Sequence, residues 1–170
     1  MLRFLRADEF INTKAIAAEC FGASEDIDEY YNKDIHNNRV AVLEEGGRII
    51  SMIHLKRVIV EFKKESSSIW YICYVATKKA YQHRGYMSEL MRFVIDVLKN
   101  EGERFAFLVP VDPDVYKNLG FVFKWKFNPD EADLLYADDG LECCYGCSLN
   151  EDWTETPLKI SAAEVDGCQP

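Results

Sequence analysis

No stretch of this sequence is long and apolar enough to cross a membrane, which takes about 20 consecutive apolar residues. The opening residues, Met1-Leu2-Arg3-Phe4-Leu5-Arg6-Ala7-Asp8, are interrupted by charge and hold no apolar h-region. The expected setting is therefore the cytoplasm, with no membrane partner. Cysteine is present but forms no framework. Thiols stand at 20, 73, 143, 144, 147 and 168, and reduced thiols are the default without a secretory leader. Cys144-Tyr145-Gly146-Cys147 has C-x-x-C spacing, but a metal knuckle needs a second such pair and there is none. If that stretch is a strand, positions 144 and 147 face opposite sides and cannot share a ligand. No metal is expected, and these cysteines read as structural or incidental.

Basic residues are the second shortage. The net charge is −9, and residues 128–170 hold eleven acids against one base, Lys159. That segment is therefore −10, while residues 1–127 carry about +1. A nucleic-acid partner is not expected, because neutralising phosphates takes a dense basic face. The acidic end has two readings: a solvated surface that aids solubility, or a negative rim that attracts a cationic amine.

What is present points to an ordered globular domain, with 48 % apolar and 13 % aromatic residues. A chain of 170 residues fits one domain with one core. That domain is expected over residues 1–150, leaving 151–170 as an extension without assigned structure. No internal repeat is present.

Taken in order, Leu2–Arg6 reads as a first strand. Asp8 reads as the cap of a helix through Phe10, Ile11, Ala15, Ala18 and Phe21 that stops at Gly22. Ser24 suits the cap of a second helix bearing Ile27, Tyr30 and Tyr31. Arg39–Glu45 and Arg48–Leu55 read as a hairpin around Gly46-Gly47, continued by extended chain at Val58–Phe62. After a polar turn, Ile69-Trp70-Tyr71-Ile72-Cys73-Tyr74-Val75-Ala76 is apolar throughout, as in a strand buried on both faces. Met87, Leu90, Met91, Val94, Val97 and Leu98 then recur at helical spacing, opposite Glu89, Arg92, Asp96 and Lys99. Gly102 ends that helix. Phe105–Val109 is a second wholly apolar strand. Asp112-Pro113 opens a short helix containing Tyr116 and closed by Gly120. Strands at Phe121–Phe127 and Leu141–Leu149 follow, separated by the break at Asn128-Pro129. The order implies a mixed α/β sheet with the two all-apolar strands at its centre.

Between the central strand and the amphipathic helix lies Gln82-His83-Arg84-Gly85-Tyr86-Met87. A strand, a short glycine-bearing loop and a helix aim backbone N–H groups and the positive end of a helix dipole at one point, which suits phosphate. These residues fit the Gln/Arg-x-x-Gly-x-Gly/Ala pattern at every fixed position but the last, where Met87 stands in place of Gly or Ala. About thirty residues on, Val115-Tyr116-Lys117-Asn118-Leu119-Gly120-Phe121 contains Tyr-x-x-x-Gly-Phe. In both elements, and over roughly residues 1–127, the chain resembles the GNAT superfamily of N-acetyltransferases.

The resemblance implies a twisted mixed sheet flanked by helices, with two central parallel strands splayed to admit acetyl-CoA. It implies that the pyrophosphate meets the backbone of Gln82, His83, Arg84, Gly85, Tyr86, Met87 and Ser88. Lys78 and Lys79 can add positive charge. The pantetheine arm and acetyl carbonyl would meet Tyr74, Val75, Ala76 and Thr77. The region of Tyr30 and Tyr31 would wall an acceptor pocket, although both tyrosines also read as ordinary packing residues. The reaction implied is acetyl transfer from acetyl-CoA to a primary amine, small-molecule or peptide, and the charge of the acidic end adds the expectation that the amine is cationic before it reacts. Attack on the thioester passes through a tetrahedral intermediate and expels a thiolate. A phenol of pKa about 10 can protonate a thiolate whose thiol has pKa about 8.5, and the resemblance gives that general-acid role to Tyr116.

The base is open. The strand from Trp70 to Ala76 carries no carboxylate where some family members have a glutamate. His54, Tyr74 and the acidic segment are unranked candidates, though His54 reads first as a packed or surface histidine. The alternative to an enzyme is a non-catalytic acyl-CoA-binding or regulatory module on the same fold. A longer acyl group is a third possibility.

Overall fold

Two glycines with positive φ, Gly46 (+57°) and Gly47 (+74°), let the chain reverse tightly between β2 (Arg39–Glu45) and β3 (Arg48–Glu61). The computed structural model describes residues 1–35, 38–127, 142–152, 154 and 159–162. The break at Asn128-Pro129 and most of the acids between 128 and 170 lie outside these residues. No helix of the described residues is long and apolar enough to cross a membrane. The described chain clusters into two compact units, Met1–Lys56 with Ile72–Val97, and Arg57–Tyr71 with Leu98–Pro170.

In the first unit the strand order is β1 (Leu2–Phe4), β2, β3 and β4 (Ser66–Thr77). β1 pairs antiparallel with β2, Leu2 opposite Leu43, and β2 with β3, Arg39 opposite Leu55. Strand, helix and hairpin bury one core, with Phe10, Ile16, Ile27, Tyr30, Tyr31, Val40, Val42 and Met52 among its members. The segment after β1 departs from expectation at its start. Ala7–Thr13 winds as a 3-10 turn before α1 (Lys14–Phe21), and the cap is Arg6, not Asp8. Glu9 reaches back to the Arg6 N–H at 2.9 Å and pairs with the Arg3 guanidinium. A carboxylate bonded to both an N–H and an arginine outcompetes Asp8, which is left in the first turn. Gly22 stops α1 at φ +89°, and Ser24 caps α2 (Glu25–Glu29) through the Ile27 N–H at 3.3 Å. Tyr30–Asp34 then widens into a π-helical turn.

The second unit holds the other ends of β3 and β4, and its strand order runs β4, β5 (Phe105–Leu108), β7 (Glu142–Ser148) and β6 (Val122–Phe127). β7 pairs antiparallel with both neighbours, Phe107 opposite Gly146 and Val122 opposite Gly146. α3 (Tyr86–Asn100) joins β4 to its neighbour β5, the connection that makes two strands parallel, so the sheet is mixed as expected. Leu90, Met91, Val94 and Leu98 of α3 are fully buried, while Glu89, Arg92 and Asp96 are exposed. Val58, Val60, Phe62, Ile69, Phe105, Phe107 and Ile160 form this unit's core. Glu103 is gripped there by Arg57, whose guanidinium lies 4.0 Å over the Trp70 ring, and by Trp70 Nε1 at 3.1 Å.

One element lies where the sequence offered nothing. Lys159–Ala162 forms β8, antiparallel to β3 with Val58 opposite Ala162. Four residues give too short a pattern to read, and the strand exists only because β3 runs on past Leu55 to Glu61 and presents an edge.

Candidate functional site

Toward its end β4 stops behaving as a regular strand. Tyr74 has φ +45°, a left-handed conformation that a bulky residue rarely adopts. Such a residue costs on the order of 1–3 kcal/mol and persists only where its surroundings hold it. In the first unit, rings from three other segments pack against the Tyr74 side chain. The Tyr30 ring lies 4.5 Å from that of Tyr74 at 32°, Phe21 meets it edge-on at 5.5 Å, and His54 lies at 5.6 Å.

Beyond Tyr74 the strand end is tied to β3. The Ser51 hydroxyl is 3.1 Å from the Ala76 carbonyl and 2.8 Å from Thr77 Oγ1. The Lys78 N–H donates to the Ile50 carbonyl at 2.9 Å. The Thr77 carbonyl accepts from Gln82 Nε2 at 2.9 Å and from the Cys20 thiol at 3.3 Å. Gln82 therefore closes the loop from Thr77 to Gln82 with its own side chain.

The loop that follows is exposed from Gln82 to Gly85. His83 and Gly85 have φ of +61° and +84°, so the backbone turns twice through the left-handed region before α3 begins. A Cβ at Gly85 would meet nothing within 4 Å, so conformation and not lack of space is what calls for glycine in the protein alone. The Gly85 carbonyl accepts the first helical bond, from the Glu89 N–H at 3.0 Å. By helix geometry the N–H groups of Tyr86, Met87 and Ser88 have no intrahelical acceptor. They point out at the positive end of a fifteen-residue helix. Met87 is half-buried as the first member of the helix's apolar stripe. Arg84 is exposed, its guanidinium 5.7 Å from the Tyr81 ring, and Lys79 is exposed beside the loop. This set fits a doubly charged anion with room around it. Tyr74, Val75, Ala76, Thr77, Gln82, His83, Arg84, Gly85, Tyr86, Met87 and Ser88 all belong to the first unit, in one strand–loop–helix passage.

Tyr116 belongs to the second unit, in α4 (Asp114–Lys117). The helix begins at Asp114 with Pro113 as its N-cap, one residue later than read from the sequence, and the Asp112 carboxylate just ahead accepts the Asp114 N–H at 3.0 Å. Gly120 closes the turn at φ +86°, and the Phe121 N–H returns to the Tyr116 carbonyl at 3.4 Å. The phenol is half-buried, its ring edge-on to Phe121 at 6.0 Å. Burial first, and then the negative charge of Asp112, raise its pKa above the usual tyrosine value. At neutral pH it holds its proton, as a general acid must.

His54 is packed, and completely so. Thr13 has one hydroxyl proton and donates it to the Phe10 carbonyl at 2.7 Å. From Tyr31 OH (2.8 Å) and His54 Nε2 (3.3 Å) it can therefore only accept. That accounting puts the imidazole proton on Nε2, leaves Nδ1 as acceptor, and makes the Tyr30 hydroxyl its donor at 2.7 Å. The Tyr30 oxygen accepts in turn from Asn38 Nδ2 at 2.7 Å. Burial holds the His54 pKa down to about 3. With both nitrogens engaged and no exposure, His54 cannot reach an incoming amine. Sequence reading missed this cluster, because residues 13, 30, 31, 38 and 54 share no motif and meet only through the fold. The only signal was three aromatic or imidazole side chains in segments otherwise read as core.

Of the acids expected to draw a cation, Glu151 and Asp152 line a cleft of about 300 Å³ with Phe62, Lys64, Glu65 and Arg104. Arg104 bridges Glu65 at 2.7 Å and Glu151 at 2.8 Å, so this part of the acidic segment is partly neutralised. Residues 142–148 do form a strand, which puts positions 144 and 147 on opposite faces. Among the described residues no three metal-ligating side chains come together.

Residues 1–123 match the family model described as an acetyltransferase (GNAT) domain. No curated protein matches the sequence. Among solved structures, a GNAT family N-acetyltransferase from Escherichia coli in complex with CoA superposes with TM-score 0.72 at 16 % identity, over 96 % of this chain and 89 % of that one. A GNAT family acetyltransferase from Brucella melitensis in complex with acetyl-CoA gives TM-score 0.65 at 16 % identity, over 97 % and 96 %. An Enterococcus faecalis protein described as a probable N-acyltransferase gives TM-score 0.68 at 16 % identity over 74 % of this chain. This chain spans only 33 % of that protein's length.

Proposed function

Because the chain belongs to the GNAT acetyltransferase family, we propose that it transfers an acetyl group from acetyl-CoA to a primary amine. One observation carries the reading: a left-handed break in β4 at Tyr74, followed within one loop by Gly85 at φ +84° and the open N-terminus of α3. Bound acetyl-CoA would supply the activated acetyl thioester. The N–H groups of Tyr86, Met87 and Ser88 hold its pyrophosphate, with Arg84 and Lys79 adding charge. The backbone around Tyr74 and Val75 meets the pantetheine arm and the acetyl carbonyl. Tyr116 donates its phenol proton to the sulfur as the C–S bond breaks.

The acceptor amine arrives partly neutral or gives its proton to water, to Tyr74 or to the acidic segment, since β4 offers no carboxylate and His54 is sealed. The acidic residues between 128 and 170 favour a cationic acceptor. Those same two facts about the missing base favour a second reading, an acyl-CoA-binding module without catalysis. A thiol-release assay with acetyl-CoA against a panel of amines separates the two. The enzyme releases CoA with at least one amine, whereas the module binds CoA and releases none.

A further inference from the structure

The mechanism above makes no use of the buried cluster of Asn38, Tyr30, His54, Thr13 and Tyr31, although that cluster lies against the most strained non-glycine residue of the strand. Tyr30 is 2 % exposed and its ring covers that of Tyr74 at 4.5 Å. A ring stacked on one face can still slide or turn about its own axis. Here the hydroxyl is pinned, donating to His54 Nδ1 and accepting from Asn38 Nδ2, both at 2.7 Å, with the Cys73 thiol also beside it. His54 is itself fixed through Thr13 to the Phe10 carbonyl. Buried polar groups joined in this way hold one geometry, because any displacement leaves a donor or acceptor unpaired in a low-dielectric interior.

Asn38 bears this out from the other side. It is 6 % exposed and among the described residues its Oδ1 has no partner, so the residue accepts an unpaired buried oxygen while its Nδ2 anchors Tyr30. An apolar residue would avoid that penalty.

We propose that Tyr30, held by Asn38 and His54, is a positioning residue that keeps the Tyr74 backbone in its left-handed conformation and so orients the strand segment that receives the acetyl carbonyl. The inference rests on the proposed function, since it assigns a purpose to Tyr74 only if the acetyl group is bound there. Tyr30 touches neither substrate and acts through Tyr74.

The experiment compares wild type with Tyr30→Phe, which keeps the stacked ring and removes the pinned hydroxyl. Three quantities are read on each protein: CoA affinity, acetyl-CoA affinity by calorimetry at a temperature where turnover is negligible, and kcat against KM for acetyl-CoA. The expected result is unchanged CoA affinity, a reduced acetyl-CoA to CoA affinity ratio, and kcat lowered between about tenfold and about a hundredfold, the scale of an ångström-level misplacement. Ile16→Val, a core change in the same unit, should lower the melting temperature and leave ratio and kcat alone. If Tyr30→Phe is too unstable to assay, Asn38→Ala removes one anchor together with the unpaired oxygen and is read the same way. A wild-type ratio and wild-type kcat in the assayed variant would overturn the inference while leaving the proposed function intact. Failure of the wild-type protein to bind CoA would instead remove the premise.

Discussion

Two tyrosines, one in each unit, differ in how their hydroxyls are held. Tyr30 lies in the buried polar cluster of the first unit, with its hydroxyl donating to one group and accepting from another. Tyr116 lies in a one-turn helix of the second unit, half-buried, and among the described residues no side chain or backbone group holds its hydroxyl. Burial raises the pKa of both phenols, so each keeps its proton at neutral pH. A raised pKa therefore does not distinguish an acid from a structural hydroxyl. The distinction is whether the proton is already engaged, as it is in Tyr30, which donates to His54; the general-acid role proposed for Tyr116 needs a proton that is not.

The largest effect expected from that contrast is on turnover. Tyr116→Phe should lower kcat by about 10²–10⁴-fold, the usual range for general acid catalysis, with little change in CoA affinity or melting temperature. A fully active variant would make Tyr116 a second packing tyrosine and dissolve the contrast. The pH profile sharpens the same point. Because the Tyr116 pKa is raised, the protonated and active form persists above the ordinary tyrosine value of about 10 and is lost only as pH rises through the shifted one. An alkaline limb that falls well below pH 10 would assign the acid to some other group.

The first unit should respond through binding and stability. Gly85→Val places a β-branched residue at φ +84°, where the left-handed strain is about 1–2 kcal/mol, or roughly tenfold in affinity if CoA needs that conformation. Gly46→Val at φ +57° in the hairpin serves as control, since its Cβ is equally uncrowded and it lies in no candidate site. Calorimetry should show weaker CoA binding for the first and not for the second. Equal CoA affinity in both would remove the helix start as the phosphate site.

A smaller effect belongs to His54, whose pKa is lowered from 6.5 to about 3 by burial. The unfolded chain then binds a proton that the folded chain refuses, so stability falls as pH drops from about 6.5 toward about 3. The slope from this one group is at most about 1.4 kcal/mol per pH unit. Denaturant melts of wild type and His54→Gln across that range should show a shallower slope in the variant, and identical slopes would mean the imidazole charges in place. The smallest effect is electrostatic. If the acidic segment steers a cationic acceptor, kcat/KM should fall a few-fold with added salt, as screening shortens to about 10 Å at 0.1 M. No salt dependence would leave the acids as surface only.

Much of the architecture was legible in the sequence because it rests on local patterns. The apolar run at 69–76, the helical stripe from Met87 to Leu98, the Gly46-Gly47 turn and the cap at Ser24 each follow from spacing and backbone preference over a few residues. So does the strand–loop–helix that carries Gly85, because a glycine ahead of an amphipathic helix is a local signal. The tertiary structure decided what depends on partners distant in sequence. The cap of the first helical segment moved to Arg6 because Glu9 found Arg3 and the Arg6 N–H together. β8 formed because β3 ran on and presented an edge. The left-handed backbone of Tyr74 has no sequence signature, since nothing in a run of apolar strand residues says which one will be strained. It exists because Phe21, Tyr30 and His54, from three separate segments, pack their rings on one side chain. Local propensity is set by neighbours in the chain, whereas strain and buried polar pairing are set by neighbours in space.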